Sequence, residues 1–297
     1  MKKILIALVT FAAAALAAGS LYAVAGDLVS NFRNDDRRVE GSGRIVTRTF
    51  DVGAFQGLKA FSCARVTLVK GSGPATVKID DNLLPYLCLK VEKGTLRIGL
   101  KSEKGHFNNF RNVTLEVTVP CDGQIGELDG SGAAHIVAEP VITARELEID
   151  ASGASKIVAM VRCASCEIDA SGVSLIEVGG TVSDTCEADA SGASKIRMAV
   201  QCERCDMDAS GSSRIQAEGS ARTCSIEASG ASHIDAEELR TEVCTAGASG
   251  ASAIAVSCTR TLNATASGAS SVRYKSPAGS DLSIHASSSG AGSIKRL

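Results

Sequence analysis

Five cysteines recur at nearly constant spacing along the middle of the chain: Cys166, Cys186, Cys205, Cys224 and Cys244. Cys163 and Cys202 stand three residues ahead of two of them and complete two Cys-x-x-Cys pairs. Thiols in this arrangement have three chemistries open to them: zinc ligation, disulfide formation, or packing as small apolar groups. Carboxylates recur beside them. Asp129, Asp150, Asp169, Asp189, Asp208 and Glu227 form one series, and Glu127, Glu148, Glu167, Glu187 and Asp206 a second, two residues ahead of the first. Eleven carboxylates on one face could collect calcium, a hard cation that takes oxygen ligands. Asp150, Asp169, Asp189 and Asp208 are the calcium candidates. Serines recur as well, and a flat row of hydroxyls could bind ice or glycans. Histidines are few: His135 and His233 share a position, His106 and His285 lie elsewhere, and no Ser/His/Asp group can be assembled.

All these series have one origin, a repeat marked by Ser-Gly pairs. The glycines are Gly132, Gly153, Gly172, Gly192, Gly211, Gly230, Gly250, Gly268 and Gly290, at steps of 18 to 22 residues. Four residues after each stands a β-branched apolar residue: Ile136, Ile157, Ile176, Ile196, Ile215, Ile234, Ile254, Val272 and Ile294. A period near 20 signals a solenoid. Counting from the serine as zero, positions −5, −3 and −1 are apolar or small and positions −4 and −2 polar, the period-2 pattern of a half-buried strand. A second strand follows the glycine. One unit cannot bury its own face, whereas stacked units bury a continuous column. The sequence therefore predicts an all-β fold, a right-handed parallel β-helix or β-solenoid of about nine 20-residue coils. At about 4.8 Å per coil, the rod is roughly 40 Å long. Gly153, Gly172, Gly192, Gly211 and Gly230 are the structural corners, where a tight bend needs positive φ. Ile157, Ile176, Ile196, Ile215 and Ile234 are the spine.

The repeat decides among the chemistries. The two Cys-x-x-Cys pairs fall two coils apart, about 10 Å along the axis, too far for one tetrahedral site. Side chains stacked in parallel point the same way, a poor geometry for disulfides between coils. The expected state is a buried ladder of free thiols. The stacked carboxylates repel by roughly 1 kcal/mol per neighbour in water, and Lys156, Lys195, Arg214, Arg162, Arg204 and Arg222 are available to neutralise them. A solvated charged face is the plain alternative to calcium. The serine hydroxyls are expected to bond neighbouring backbone at the corners. No metal and no cofactor is expected.

The rest of the chain frames the repeat. Residues 1–25 have a basic start at Lys2-Lys3, an apolar run and an Ala23-Val24-Ala25 cleavage signal, and read as a signal peptide. Uncleaved, the same segment would be a membrane anchor. Residues 26–44 are a polar, flexible lead-in. Residues 45–122 form a less regular β-rich part. Val66–Lys70 and Ala75–Ile79 flank a Gly/Pro turn, Asp80–Leu87 is a helical turn, Lys93-Gly94 marks a hairpin, Lys101–Asn112 is a polar loop, and Val113–Val119 is a strand stopped by Pro120. Residues 123–297 carry the solenoid repeats.

Phe50-Asp51-Val52-Gly53-Ala54-Phe55-Gln56-Gly57-Leu58-Lys59, Val66-Thr67-Leu68-Val69-Lys70-Gly71, Asp81-Asn82-Leu83-Leu84, Gly94-Thr95-Leu96-Arg97-Ile98, Val117-Thr118-Val119-Pro120 and the Ser-Gly repeats follow one another in order. From about Thr49 to Val272 the chain resembles the head GIN domain family of "putative auto-transporter adhesins". The resemblance implies a secreted β-helical protein of the bacterial envelope. The chain departs from that pattern in its eleven cysteines and its number of repeats.

Together these readings lead to a non-enzymatic secreted or envelope protein with adhesin-like binding through its long face. The alternatives are a carbohydrate-active enzyme on a β-helix and a calcium-binding surface protein. The enzyme would need charged residues that break the repeat and aromatics to stack on sugar rings, but Trp is absent and the repeat is most regular at its centre. A net charge of −2 gives no reason to expect nucleic acid as a partner. The expected partner is an envelope or surface protein or glycan, with oligomers possible through the solenoid end. The expected place is outside the cytoplasm: periplasm, outer-membrane surface or extracellular space.

Overall fold

The computed structural model describes residues 38–101, 109–277 and 280–297. The expected signal peptide, most of the lead-in and His106 lie outside the described residues. The fold is a β-solenoid of about eight turns, bounded by the nine glycine corners. Each central coil is one long strand bent at its middle, such as Lys156–Ala170, Leu175–Ala190 and Lys195–Ala209. Coil stacks on coil in parallel and in register: Ile157 pairs with Ile176, Ile176 with Ile196, Ile196 with Ile215, and Ile215 with Ile234.

The coil has two corners. At the first, Ser152, Gly153 and Ala154 point outward between the inward Ala151 and Ser155. At the second, Ala164 and Ser165 lie between the inward Cys163 and Cys166. The run between Lys156 and Cys163 turns Ile157, Ala159, Val161 and Cys163 to the core, and the run after the second corner turns Cys166, Ile168 and Ala170 to it. Two sheets of stacked runs thus enclose one narrow core. It runs unbroken from Leu58 to Val272 and is built of Ile, Val, Leu, Ala and Cys.

The stack starts before the first Ser-Gly pair. Gly57–Ala60 pairs in parallel with Glu127–Gly130, and Arg65–Lys70 with the start of His135–Thr143. Ser62 takes the corner between them with φ of 64°. The sheet therefore runs through the position where the regular repeat begins, and Ile136 stacks on Val66, which stacks on Val117. What the sequence obscures is the corner itself, where Ser62 stands in place of glycine.

Antiparallel strands close this end. Ile45–Phe50 pairs with Ala75–Asp80, and Leu87–Glu92 forms a hairpin with Thr95–Leu100 about Lys93 and Gly94, both at positive φ. The helical turn is a 3₁₀ segment, Asp81–Tyr86. Two local arrangements go beyond the sequence reading. Arg65–Lys70 and Ala75–Asp80 flank a turn but do not pair, because Leu115–Cys121 inserts between them, parallel to the first and antiparallel to the second. The expected polar loop Lys101–Asn112 contains a short strand, Asn109–Arg111, which pairs with Arg38–Glu40.

The candidate binding face and the thiol columns

The run after the second corner carries the carboxylates outward. Asp129, Asp150, Asp169, Asp189, Asp208 and Glu227 stand side by side in consecutive strands, and Glu127, Glu148, Glu167, Glu187 and Asp206 form the parallel column. Strand spacing puts like charges about 4.8 Å apart. The field of the ladder shows in its proton affinities. Partial burial, then Glu148 and the neighbouring aspartates, push the Asp150 carboxyl up to about 7. Partial burial and the Asp169 and Asp208 charges raise Asp189 to about 6, and Asp169 is raised in the same way.

The cations expected to neutralise the ladder do not reach it. Lys156, Lys195 and Arg214 lie on the run after the first corner, which presents the other outward face. Lys156 pairs with Glu177 at 2.9 Å, a carboxylate that also holds Arg197 at 2.6 Å. Arg222 pairs with Glu203. Among the described residues a single ion pair touches the ladder, Lys59 with Asp129 at its N-terminal end. Past Glu227 the column continues as Gly247 and Thr265. The face thus passes from basic to acidic to neutral along the axis. Asp150, Asp169, Asp189 and Asp208 share one column as read from the sequence, but among the described residues no three His, Cys, Asp or Glu side chains converge closely enough to hold a metal ion.

The serines divide into two sets. Those of the Ser-Gly pairs point outward, while those three residues later are buried: Ser155, Ser174, Ser194, Ser213, Ser232, Ser252 and Ser270. Each buried hydroxyl donates to a backbone carbonyl of the preceding coil at 2.8 to 3.0 Å. This inner row is internal glue, and only the outward serines of the Ser-Gly pairs meet solvent. Corner glycines are fixed by geometry: at Gly192, φ is 73° and a Cβ would stand 2.8 Å from the Gly172 carbonyl oxygen.

All eleven cysteines are free thiols. Cys166, Cys186, Cys205, Cys224 and Cys244 stack rung on rung, with Leu147 before and Leu262 after them, and all are buried. His135 and His285 are exposed and His233 half-buried. Partial burial and the neighbouring Arg65 and Lys156 hold His135 below its ordinary value.

One feature of the other face escapes a sequence reading. Val158, Met160, Gly179, Ala199, Arg197 and Glu218 line a shallow groove of about 560 Å³. Met160 is 52% exposed and lies over Gly179. The only sequence signal is the pair of small residues, Gly179 and Ala199, at successive outward positions beside a methionine.

A family model described as "Putative auto-transporter adhesin, head GIN domain" matches residues 54–185 and again 182–278. The chain belongs to this family. The second match begins inside the solenoid, where the sheet is continuous, so it records extra coils of the same repeat within one stack. Among solved structures, a Parabacteroides distasonis protein described as a "putative lipid binding protein" is 21% identical, with a TM-score of 0.64, covering 88% of this chain and 100% of its own. A "putative adhesin" from the same organism is 18% identical with a TM-score of 0.64, again covering 88% of this chain and 100% of its own. A "putative adhesin" from Parabacteroides merdae is 18% identical with a TM-score of 0.64, covering 88% of this chain and 99% of its own. At these identities the likeness is one of fold. None of these descriptions is of an enzyme. No curated protein matches the chain.

Proposed function

We propose that this head GIN domain protein is a non-enzymatic component of the bacterial envelope or cell surface that binds a cationic partner through its carboxylate ladder. The observation that carries this reading is the in-register ladder itself, with Lys59 as the one described cation paired to it. A flat parallel sheet face of repeated charge presents the same contact at every rung, as suits an extended partner bearing several cations. The potential of stacked carboxylates steers such a partner to the face and falls off with salt. The adhesin description of the family supports binding as the role, and the basic-then-apolar segment at residues 1–25 supports export.

The test is retention of the full chain on immobilised polylysine, beside neutral and anionic matrices. Retention on polylysine alone, released between about 0.05 and 0.5 M salt as screening shortens, is the expected result. The triple variant Asp150→Asn, Asp169→Asn, Asp189→Asn should elute at lower salt. Equal retention on the neutral matrix, or an unchanged elution of the variant, rejects the reading. Cell fractionation with the chain found only in the cytoplasm rejects the envelope assignment.

A further inference from the structure

The second corner has two inward columns, one on each side of the bend. The near column contains Cys163 beside Val182, Cys202 beside Ala221, Ala221 beside Thr241, and Thr241 beside Cys258. The far column is the ladder from Cys166 to Cys244. A thiol therefore faces another thiol across the corner in two coils, as Cys163 with Cys166 and Cys202 with Cys205. Cys224 and Cys244 face Ala221 and Thr241 instead. Within the near column neither Cys163 nor Cys202 has a cysteine as its registered neighbour. The cross-corner partner is thus the one thiol each can bond without working against parallel stacking.

The two pairs differ in access. Cys163 is 6% exposed, whereas Cys202 is half-buried beside the small Ala221 and is flanked by exposed Gln201 and Glu203. Cys205 is fully buried. We propose that Cys202 and Cys205 form a redox-active dithiol that reduces a small-molecule disulfide and closes into an intrachain disulfide across the second corner. The hydrogen bond with Cys205 holds the Cys202 thiol below its ordinary value, and the contact with Cys186, followed by those with Cys202 and Cys224, holds Cys205 well above it. The exposed thiol is also the more acidic, which makes Cys202 the attacking group and Cys205 the resolving one.

The exchange balances in two steps. The Cys202 thiolate attacks one sulfur of the small disulfide, whose S–S bond breaks. A mixed disulfide forms on Cys202, and the released thiolate takes the proton Cys202 gave up. Cys205 then attacks the Cys202 sulfur, the second small thiolate leaves with the Cys205 proton, and the intrachain bond is made. The dithiol loses two electrons and one small disulfide becomes two thiols.

Reduced full-length chain is exposed to oxidised glutathione under native conditions, quenched with acid, alkylated and peptide-mapped. The expected product has one intrachain bond, Cys202 to Cys205, with the other cysteines alkylated. Cys205→Ser should trap glutathione on Cys202, and Cys202→Ser should slow the exchange at least tenfold, each checked for a native circular dichroism spectrum. The wild-type map decides the matter even if a variant misfolds. A bond between rungs of the ladder, a mixed disulfide that persists on wild-type Cys202, or no native reaction where the urea-unfolded chain reacts, overturns the proposal.

Discussion

The Ser194 hydroxyl donates to the Ala170 carbonyl at 2.9 Å, and that oxygen also accepts the Ser191 amide at 2.9 Å. The corner serine thus adds a second bond between coils where the backbone already makes one. Ser194→Ala removes the hydroxyl without leaving the carbonyl unpaired, so the loss is that of one net hydrogen bond, about 1 kcal/mol, and not the larger cost of an orphaned buried acceptor. Ala134 occupies the equivalent place in the first coil, fully buried, so alanine fits the space. Urea unfolding should show a small drop in midpoint; a loss of several kcal/mol would mean that the hydroxyl carries more of the corner than this geometry assigns.

The serine, glycine and isoleucine columns are legible in the sequence because a stacked coil repeats each side chain's environment at a fixed interval. Ile157, Ile176 and Ile196 advertise their stacking by type and spacing alone. Legibility fails where the environment is met by a different residue. Ser62 adopts the corner conformation without glycine, and Leu115–Cys121 enters between two strands that are close in sequence, a long-range pairing that no local pattern reports. The ladder's composition is legible but its isolation is not. Lys156 and Arg214 look available until the fold assigns them to the opposite outward face.

Gly180, registered with Val161 in the run before the second corner, is as constrained as the corner glycines. Gly180 has φ of 138°, and a Cβ there would stand 2.0 Å from the Val161 carbonyl oxygen; at Gly192 the corresponding approach is 2.8 Å. Both substitutions to alanine incur backbone strain, roughly 1–2 kcal/mol for left-handed geometry alone. Gly180→Ala adds a collision with backbone that no rotamer relieves. Its melting temperature should fall further than that of Gly192→Ala. The reverse order would make the Ser-Gly corner the more demanding of the two positions.

Ile196 is fully buried between Ile176 and Ile215. Ile196→Ala should cost about 2–5 kcal/mol and Ile196→Val about 0.5–1.5 kcal/mol, because the neighbouring rungs are held by their own backbone bonds and cannot collapse into the space. Val173, 70% exposed at a corner, is the control: Val173→Ala should change stability by no more than about 0.5 kcal/mol. Denaturant midpoints of the three variants, compared at equal slope, check the ranking.

The ladder makes stability depend on pH in an unusual direction. The Asp150 carboxyl is raised from 3.8 to about 7 in the fold and Asp189 to about 6, by partial burial first and by neighbouring carboxylates second. Between these limits the folded chain binds more protons than the unfolded chain, so stability falls as pH rises. The contribution is fully present below about pH 4 and is lost as pH passes through 6 to 7. Melting temperature should therefore rise when the protein is taken from pH 8 to pH 5, opposite to the behaviour of a protein held by salt-bridged carboxylates. Asp150→Asn removes the most strongly raised carboxyl of the ladder with little change in the side chain's size. It should raise the melting temperature at pH 8, have little effect at pH 4, and flatten the profile between them. Added salt should shrink the same difference by screening the rungs from one another. A melting temperature that falls on acidification to pH 5 in both proteins would show that the rungs are relieved of their repulsion in solution.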